Sequence, residues 1–537
     1  MAKPEDIDVA VADNTAESIY QTEKVGKVIQ VSEATRHTTE REHKLGVIEA
    51  IRTYPKIVLW CMFLCLPIIG IQYDQTVMGA YYALPAFQHR YGRFVGGKWV
   101  IQAQWQSAIS MAGYLGQILG AIGVAVWPLD RFGPRRTLSA AVAWVGGCIF
   151  IQFFSPSIQV LFVGELLQGL ISGSFIVICV AYASELSPLA LRGILSSYAN
   201  LCAVVGQFVG TGVTFAFQGR LDQWAYRIPF AIQFWWVILF LSLVYWAPES
   251  PYWLVRKDRH EEAVKILTQL SRHEDAEQDA RERVALMRET DRLEKELSAG
   301  ATFAECFRGT NLRRTEICVV AYIIQVWGGG SFQGYSTLFF ELAGLPSKNA
   351  FALSLGTKAF AFTGTVLSWF ILSRVGRRTL YCRGEVCLTV LLFLIGILDV
   401  APNYKSRPGL QYGQAVMLFL FSFIYDCSIG PVEYVLLAEI SSTRLRSKTI
   451  ASALAIKAVT GIANSVSMPY MMNSDHANWR GKAGFLFGGF NLIFTVWAYL
   501  RVPETKGRTF EEIDLLFEGQ VKAKDFSKYV SDADKKN

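Results

Sequence analysis

The stretch Asp130-Arg131-Phe132-Gly133-Pro134-Arg135-Arg136 stands between two apolar runs, and Ser373-Arg374-Val375-Gly376-Arg377-Arg378 stands between two others far later in the chain. Two more pairs accompany them. Glu185 with Arg192 is answered by Glu439 with Arg446 at the same separation, and Pro248-Glu249-Ser250 is answered by Pro503-Glu504-Thr505. Three matched pairs in the same order mark an internal duplication. The fold is therefore built from two like halves.

Working outward, each motif closes a long apolar run. The chain has 537 residues and is 52% hydrophobic, and a bilayer-crossing helix needs roughly 20 mostly apolar residues. Twelve such windows can be drawn, near 56–80, 101–127, 137–155, 158–182, 194–217, 228–247, 315–341, 350–372, 379–400, 412–438, 449–470 and 483–502. This predicts an all-α membrane protein of twelve transmembrane helices in two six-helix pseudo-symmetric halves. The expected divisions are an N-terminal tail (1–54), the first half (55–248), a polar helical loop (249–314), the second half (315–503) and a C-terminal tail (504–537). In the loop, Ala263, Ile266, Leu267 and Leu270 recur at helical spacing among charges, which predicts short amphipathic helices.

The net charge of +7 is no sign of nucleic-acid binding, because the Lys and Arg residues lie in tails and connections. Cytoplasmic loops carry such an excess, and with the amino end inside, all six motifs fall on the cytoplasmic side. The expected location is the plasma membrane, multi-pass, with both termini cytoplasmic and the lipid bilayer as surroundings; a monomer suffices. The ten cysteines are scattered without a Cys-x-x-Cys pair, so neither a disulfide framework nor a metal site is expected. The six histidines all lie outside the windows, so an intramembrane proton must use carboxylates. An enzyme is not expected, and no cofactor beyond a co-transported proton.

One carboxylate stands out. Asp74 lies in the run WCMFLCLPIIGIQYDQTVMGA (60–80), where an ionised acid at the bilayer centre costs at least ~2.5–3.5 kcal/mol. Such a residue is a functional-site candidate by default.

At this point the motifs resemble those of a known family. YDQTVMGAYYALPAFQHRYG (73–92), DRFGPRR (130–136), SELSPLALRG (184–193), PESPYWLVRKDR (248–259), GGGSFQGYST (328–337), SRVGRR (373–378), YDCSIGPVEYVLLAEISSTRLRSKT (425–449) and PETKGRTFEEID (503–514) resemble the sugar porters of the major facilitator superfamily. Within it the fungal α-glucoside permeases are most similar. The resemblance implies two halves rocking about a midplane site. It also implies a cytoplasmic gate in which Arg131, Arg135 and Arg136 reach Glu185, and Arg374, Arg377 and Arg378 reach Glu439, with Arg192 and Arg446 in the same clusters. The alternative is that these charges only fix topology.

A sugar site needs amides and hydroxyls, with an aromatic to stack. Asn200 and Gln207 are seven residues apart and share one face of the fifth helix. Both match ligand-binding positions of sugar porters, the alternative being interhelical hydrogen bonds. Gln325-Val326-Trp327-Gly328-Gly329-Gly330-Ser331-Phe332-Gln333-Gly334-Tyr335 places three glycines in the seventh span, each weakening a helix by roughly 1 kcal/mol relative to Ala. A break with backbone groups freed toward a cavity is predicted. Against the family pattern Gln325 and Tyr335 match, while Val326 and Ser331 replace a glutamine and an asparagine. That leaves room for a sugar larger than a hexose. Tyr434, after Gly430-Pro431, replaces the stacking tryptophan, and Asn464 is a further ligand in the eleventh span. Glu433, Asp426, Lys358 and Lys457 are unusual within spans; Glu433 either lines the pathway or pairs with one of the lysines.

Asp74 matches the first-span aspartate of proton-coupled sugar porters, many of which pair it with a fourth-span arginine. Here Glu165 holds that position, as in α-glucoside permeases, so Asp74 is the expected proton carrier with Glu165 its partner. The leading expectation is a proton symporter importing a maltose-type α-glucoside. The alternatives are a carrier of another polyhydroxylated metabolite, perhaps outward, and a non-transporting sugar sensor.

Overall fold

The computed structural model describes residue 52 and residues 54–528, apart from 96–97, 124–126, 187–188, 272–275, 299–301, 403, 405–406, 443–444, 474–475 and 507–509. Most of the expected N-terminal tail therefore lies outside the described residues. So do the side chains of Asp130, Glu185, Arg192 and Arg446.

Ten helices among the described residues are long and apolar enough to cross a membrane. They are the expected windows except the second and the seventh. The second is a continuous helix, Ala103–Gly123, but glutamines and serines dilute its hydropathy. The seventh is broken into Gly309–Trp327, Gly330–Gly334 and Ser336–Leu342. Three other spans are also interrupted. The first runs as Pro55–Leu64 and Leu66–Tyr81, the sixth as Trp224–Ile232 and Phe234–Leu243, and the tenth as Pro408–Cys427 and Ile429–Ile440. A proline follows two of these breaks closely (Pro67 and Pro431), where it lacks the N–H and crowds the preceding turn; Pro229 lies inside Trp224–Ile232, ahead of the sixth-span break.

The remaining spans are Pro134–Phe153, Ile158–Leu186, Leu189–Phe217, Ser347–Arg374, Arg377–Val400, Arg446–Met472 and Ala483–Arg501. Each half has its own core: Leu138, Phe175, Trp236 and Phe240 in the first, Phe332, Phe339, Leu392 and Phe421 in the second. In the first half the second and fourth helices meet backbone to backbone. A Cβ on Gly169 would sit 2.6 Å from the Gly113 carbonyl oxygen, and one on Gly173 2.3 Å from that of Gln117. Small residues at four-residue spacing permit that approach.

The polar loop folds as expected into helices, Pro251–Arg256, His260–Leu270 and Ala276–Ser298. Ala263, Leu267 and Leu270 are buried, with Ile266 packed beside them. A short antiparallel pair, Arg93–Val95 with Lys98–Val100, follows the first span and was not expected from the sequence.

The duplicated motifs converge on one end of the bundle, called here the motif end. Their shared task is visible in the backbone. The third helix begins after Gly133 and the ninth after Gly376, and the first N–H groups of a helix lack intrahelical partners. Glu249 accepts from the Arg135 amide at 3.1 Å, and Glu504 accepts from the Arg377 amide at 2.8 Å. In the first half Pro134 occupies the opening helical position and has no N–H, which accounts for the one-residue difference between GPRR and GRR. So Glu249 and Glu504, conspicuous in the sequence only as a repeat, each tie the last span of their half to its third. Burial holds the Glu249 carboxyl above the usual carboxylate range, against the opposing pull of the Arg135 amide and guanidinium.

Glycine is required where the carboxylate arrives: a Cβ on Gly376 would lie 2.1 Å from Glu504 Oε2. Gly376→Ala is expected to expel that carboxylate and lower stability by about 1–2 kcal/mol, the usual cost of a lost cap. Thermal unfolding in detergent checks this; an unchanged midpoint would refute the capping role.

Candidate functional site

Between the halves lies a cavity of about 370 Å³, lined among others by Gln207, Gln325, Ser331, Gln333, Tyr335 and Asn464, with Glu165 and Lys457. Six of the nine expected sugar and proton residues thus come together: Glu165, Gln207, Gln325, Ser331, Tyr335 and Asn464. Asp74, Asn200 and Tyr434 stand behind the wall. On the first span the lining residues are Gln75, Met78 and Gly79, and Tyr434 lies beside Gln325. Asn200 faces Asp426.

The broken seventh span builds much of this wall. Gly329 takes a left-handed backbone (φ +98°), and a Cβ there would meet Leu392 at 2.9 Å, so the kink is open only to glycine. The break frees carbonyls, as expected from the sequence. The Val326 carbonyl accepts from Asn464 Nδ2 at 2.9 Å, and the Gln333 carbonyl accepts from Lys358 Nζ at 3.1 Å. Asn464 also donates to Ser331 Oγ. Its Oδ1, like Gln333 Nε2, is buried without a partner among the described residues. Buried polar atoms are normally satisfied, so an acceptor and a donor are held ready at the cavity wall for a ligand.

Gln207 sits at the centre of a chain that crosses between halves. It donates to Gln72 Oε1 at 3.2 Å and accepts from Lys358 Nζ at 3.1 Å. Lys358, 3% exposed, thereby joins the fifth span of the first half to the seventh and eighth spans of the second. Asp426 is the carboxylate whose charge acts on it. Both expected uses of Gln207 remain compatible with this position: its amide is an interhelical link and also faces the cavity.

Tyrosines supply the flat surfaces. Tyr82 and Tyr335 stack with ring centres 6.0 Å apart, Tyr335 shares a hydrogen bond of 3.0 Å with Ser110, and Tyr114 and Tyr425 complete the lining. The sequence reading missed Tyr82, Tyr114 and Gln117. A signal was present: Ser110, Gly113, Tyr114 and Gln117 form a stripe at helical spacing on the second span.

The two acids of the first half lie in adjoining positions. Asp74, 3% exposed, accepts from Gln233 Nε2 at 2.8 Å and is approached by Gln168. Glu165, 8% exposed, accepts from Gln152 Nε2 at 2.9 Å, and the charge of Asp74 acts on it. Their neighbours are amides rather than cations. Glu165 meets the cavity and Asp74 sits one layer deeper.

At the end away from the motifs the halves are in contact. Gln106 Nε2 donates to Asn473 Oδ1 at 3.4 Å, Ser107 Oγ to the Val466 carbonyl at 3.1 Å, and Leu338 and Phe351 join Tyr81, Phe87 and Phe230 in one apolar cluster. At the motif end the described contacts stay within a half. Arg377 pairs with Glu439 at 3.4 Å, as the resemblance implied, and Thr505 donates to the same carboxylate at 2.5 Å. Arg135 departs from expectation: its guanidinium lies 3.8 Å from Glu249 and donates to the Ala247 carbonyl at 3.0 Å. Arg378 similarly grips the carbonyls of Val502 and Tyr499, each at 2.6 Å. Arg131 lies over the Phe132 ring, Arg136 is exposed, and the Arg374 carbonyl accepts from Lys506.

Comparison with known proteins agrees with this arrangement. A family model described as "Sugar (and other) transporter" matches residues 60–517. A general alpha-glucoside permease of Saccharomyces cerevisiae is 34% identical over 522 residues, covering 96% of this chain and 84% of that protein. A maltose permease of the same organism is 34% identical over 498 residues, covering 91% and 80%. Among solved structures, the xylose transporter XylE of E. coli in a partially occluded inward-open conformation superposes with a TM-score of 0.68 at 21% identity, covering 85% of this chain and all of that one. The proton:xylose symporter XylE bound to 6-bromo-6-deoxy-D-glucose gives a TM-score of 0.68 at 21% identity, covering 87% and 100%.

Proposed function

Since the chain belongs to the sugar transporter family, we propose that it imports an α-glucoside of the maltose type together with protons, across a fungal plasma membrane, by alternating access. The observation that carries this reading is the cavity between the halves, to which both halves contribute amides and tyrosines. Its volume of about 370 Å³ lies within the ~300–1,000 Å³ range of small-molecule pockets. The names of the relatives, alpha-glucoside and maltose permeases, supply the substrate class.

In this reading the motif end and both termini face the cytoplasm, so the end closed by Gln106, Ser107 and Asn473 faces outward. Gln207, Gln325, Gln333 and Asn464 hold sugar hydroxyls while Tyr335 and its neighbours cover a ring face. Tyr434 and Asn200 act one layer back, the first on Gln325 and the second on Asp426. Two buried acids surrounded by amides cost least when they hold a proton. Glu165 exchanges it with the cavity and Asp74 stores it, so that sugar and proton travel together. One copy supplies every lining residue, and a monomer is sufficient.

Uptake of labelled glucose, maltose, trehalose, sucrose, cellobiose and lactose in transporter-null yeast, with external pH recorded, tests the proposal. Uptake of an α-glucoside with alkalinisation of the medium is expected. Surface-expressed protein that moves none of the α-glucosides would overturn it.

A further inference from the structure

A cavity of about 620 Å³ opens at the motif end of the second half, apart from the one between the halves. It is bounded by the start of the seventh span, the end of the twelfth and the C-terminal segment beyond the helix Phe510–Glu518. Five cations line it, Arg313, Arg378, Arg501, Lys522 and Lys524, and among the described residues no acid does. The duplication supplies a contrast. In the first half Arg136, equivalent to Arg378, and Trp246, equivalent to Arg501, line a cavity of about 590 Å³. That one also holds Glu249 and Glu262, which offset Arg135 and Arg259 through pairs at 3.8 Å and 2.8 Å.

The second-half cavity lacks this compensation. Among its cations and the described residues, only Arg501 reaches an acid, Glu316, at 3.3 Å. Arg378 gives two N–H groups to the Val502 and Tyr499 carbonyls. Arg313 donates to the Val521 carbonyl at 2.8 Å and lies over the Phe517 ring at 5.2 Å, with its Nε buried and unpartnered among the described residues. A guanidinium has five N–H donors, so both arginines keep donors in reserve. Lys522 and Lys524 are exposed beside them. Like charges gathered this closely repel one another, and an anion relieves the repulsion. The seventh span also begins here, at Gly309 and Thr310, without a side-chain cap, so its first N–H groups add to the positive field. Tyr499 and Leu500, 66% and 64% exposed, continue an apolar outer stripe of Leu492, Ile493 and Val496 along the last span.

We propose that this cavity is a binding site for a phosphate monoester, and that the apolar stripe beside it points to the phosphorylated headgroup of an inositol lipid as the source. Guanidinium groups match phosphate oxygens in pairs, and basic pockets at the ends of membrane helices hold such headgroups. The acyl chains then lie along the stripe. Because Lys522 and Lys524 belong to the C-terminal segment while Arg313 and Arg378 belong to the bundle, a bound phosphate ties that segment to the second half.

The test is calorimetric titration of the purified full-length protein, in nonionic detergent, with dioctanoyl phosphatidylinositol 4-phosphate, dioctanoyl phosphatidylcholine and soluble inositol 1,4-bisphosphate. Wild-type protein is expected to bind the phosphoinositide and not the phosphatidylcholine. Lys522→Gln with Lys524→Gln changes two exposed positions and is expected to fold normally and lose about tenfold or more in affinity. Lys265→Gln with Lys348→Gln removes the same charge elsewhere and is expected to bind as wild type does. Inositol 1,4-bisphosphate bound as tightly as the lipid supports the site with a soluble source, and much weaker binding supports the lipid. Three results overturn the inference: no binding of either phosphate compound by the wild type, undiminished binding by the folded Lys522 and Lys524 variant, or an equal loss in the Lys265 and Lys348 variant.

Discussion

Asp74→Asn is expected to abolish accumulation of sugar against its gradient while leaving counterflow exchange in place. The substitution conserves shape, and the asparagine carbonyl can still accept from Gln233, which now bonds Asp74 at 2.8 Å. What disappears is the capacity to bind and release a proton at a site 3% exposed and surrounded by amides. Sugar can then cross only down its own gradient. Glu165 remains at the cavity, but its communication with the deeper carboxylate is severed. Proteoliposomes with an imposed pH gradient provide the measurement. Uphill uptake by the variant would exclude Asp74 as carrier, and a loss of exchange as well would assign it a structural role.

Lys358→Met is expected to carry the largest cost in stability, about 3–5 kcal/mol, because removing one member of a buried charged group leaves the other uncompensated. The lysine donates to Gln207 and to the Gln333 carbonyl, and its charge opposes that of Asp426. Its loss orphans two acceptors and strands one carboxylate. The double variant with Asp426→Asn removes the stranded charge and is expected to recover most of the thermal stability. It does not recover the link between Gln207 and the kinked seventh helix, so transport remains impaired. A single variant as stable as wild type would show that Lys358 and Asp426 are not energetically linked.

The duplication was legible because it is written in local motifs, and with it came the two halves and the positions of most spans. The glycine break at 328–330 was legible for the same reason: helix propensity acts locally. The acceptors of the Arg-rich motifs were harder to see. Glu249 and Glu504 were visible as repeated residues, but which helix end each would cap depends on how the third and sixth spans, and the ninth and twelfth, pack together. Lys457 and Glu433 were likewise conspicuous. Which of them reached the cavity depended on the rotation of the tenth and eleventh helices about their axes, which hydropathy fixes only coarsely; Lys457 lines it and Glu433 is buried. Tyr82 and Tyr114 carried no charge cost to draw attention in an apolar run. Asp74 shows the converse limit: its cost announced a function, but whether it touched the cavity or stood behind Glu165 was decided by the fold.

The central loop changes allegiance within a few residues. Up to Ser298 its helices cling to the first half, where Lys56 donates to the Gln269 carbonyl at 2.6 Å and Arg283 covers the Tyr54 ring at 5.0 Å. From Thr302 onward the chain belongs to the second half: the Cys306 carbonyl accepts from Thr315 at 2.7 Å, and its sulfur faces Thr449. Together with the two carboxylate caps, this makes each half a self-contained cartridge, and the join between Ser298 and Thr302 the seam along which the molecule divides. Two polypeptides encoded separately on either side of that seam would each retain their own carboxylate cap, and the contacts between the halves would have to be restored by docking inside the membrane.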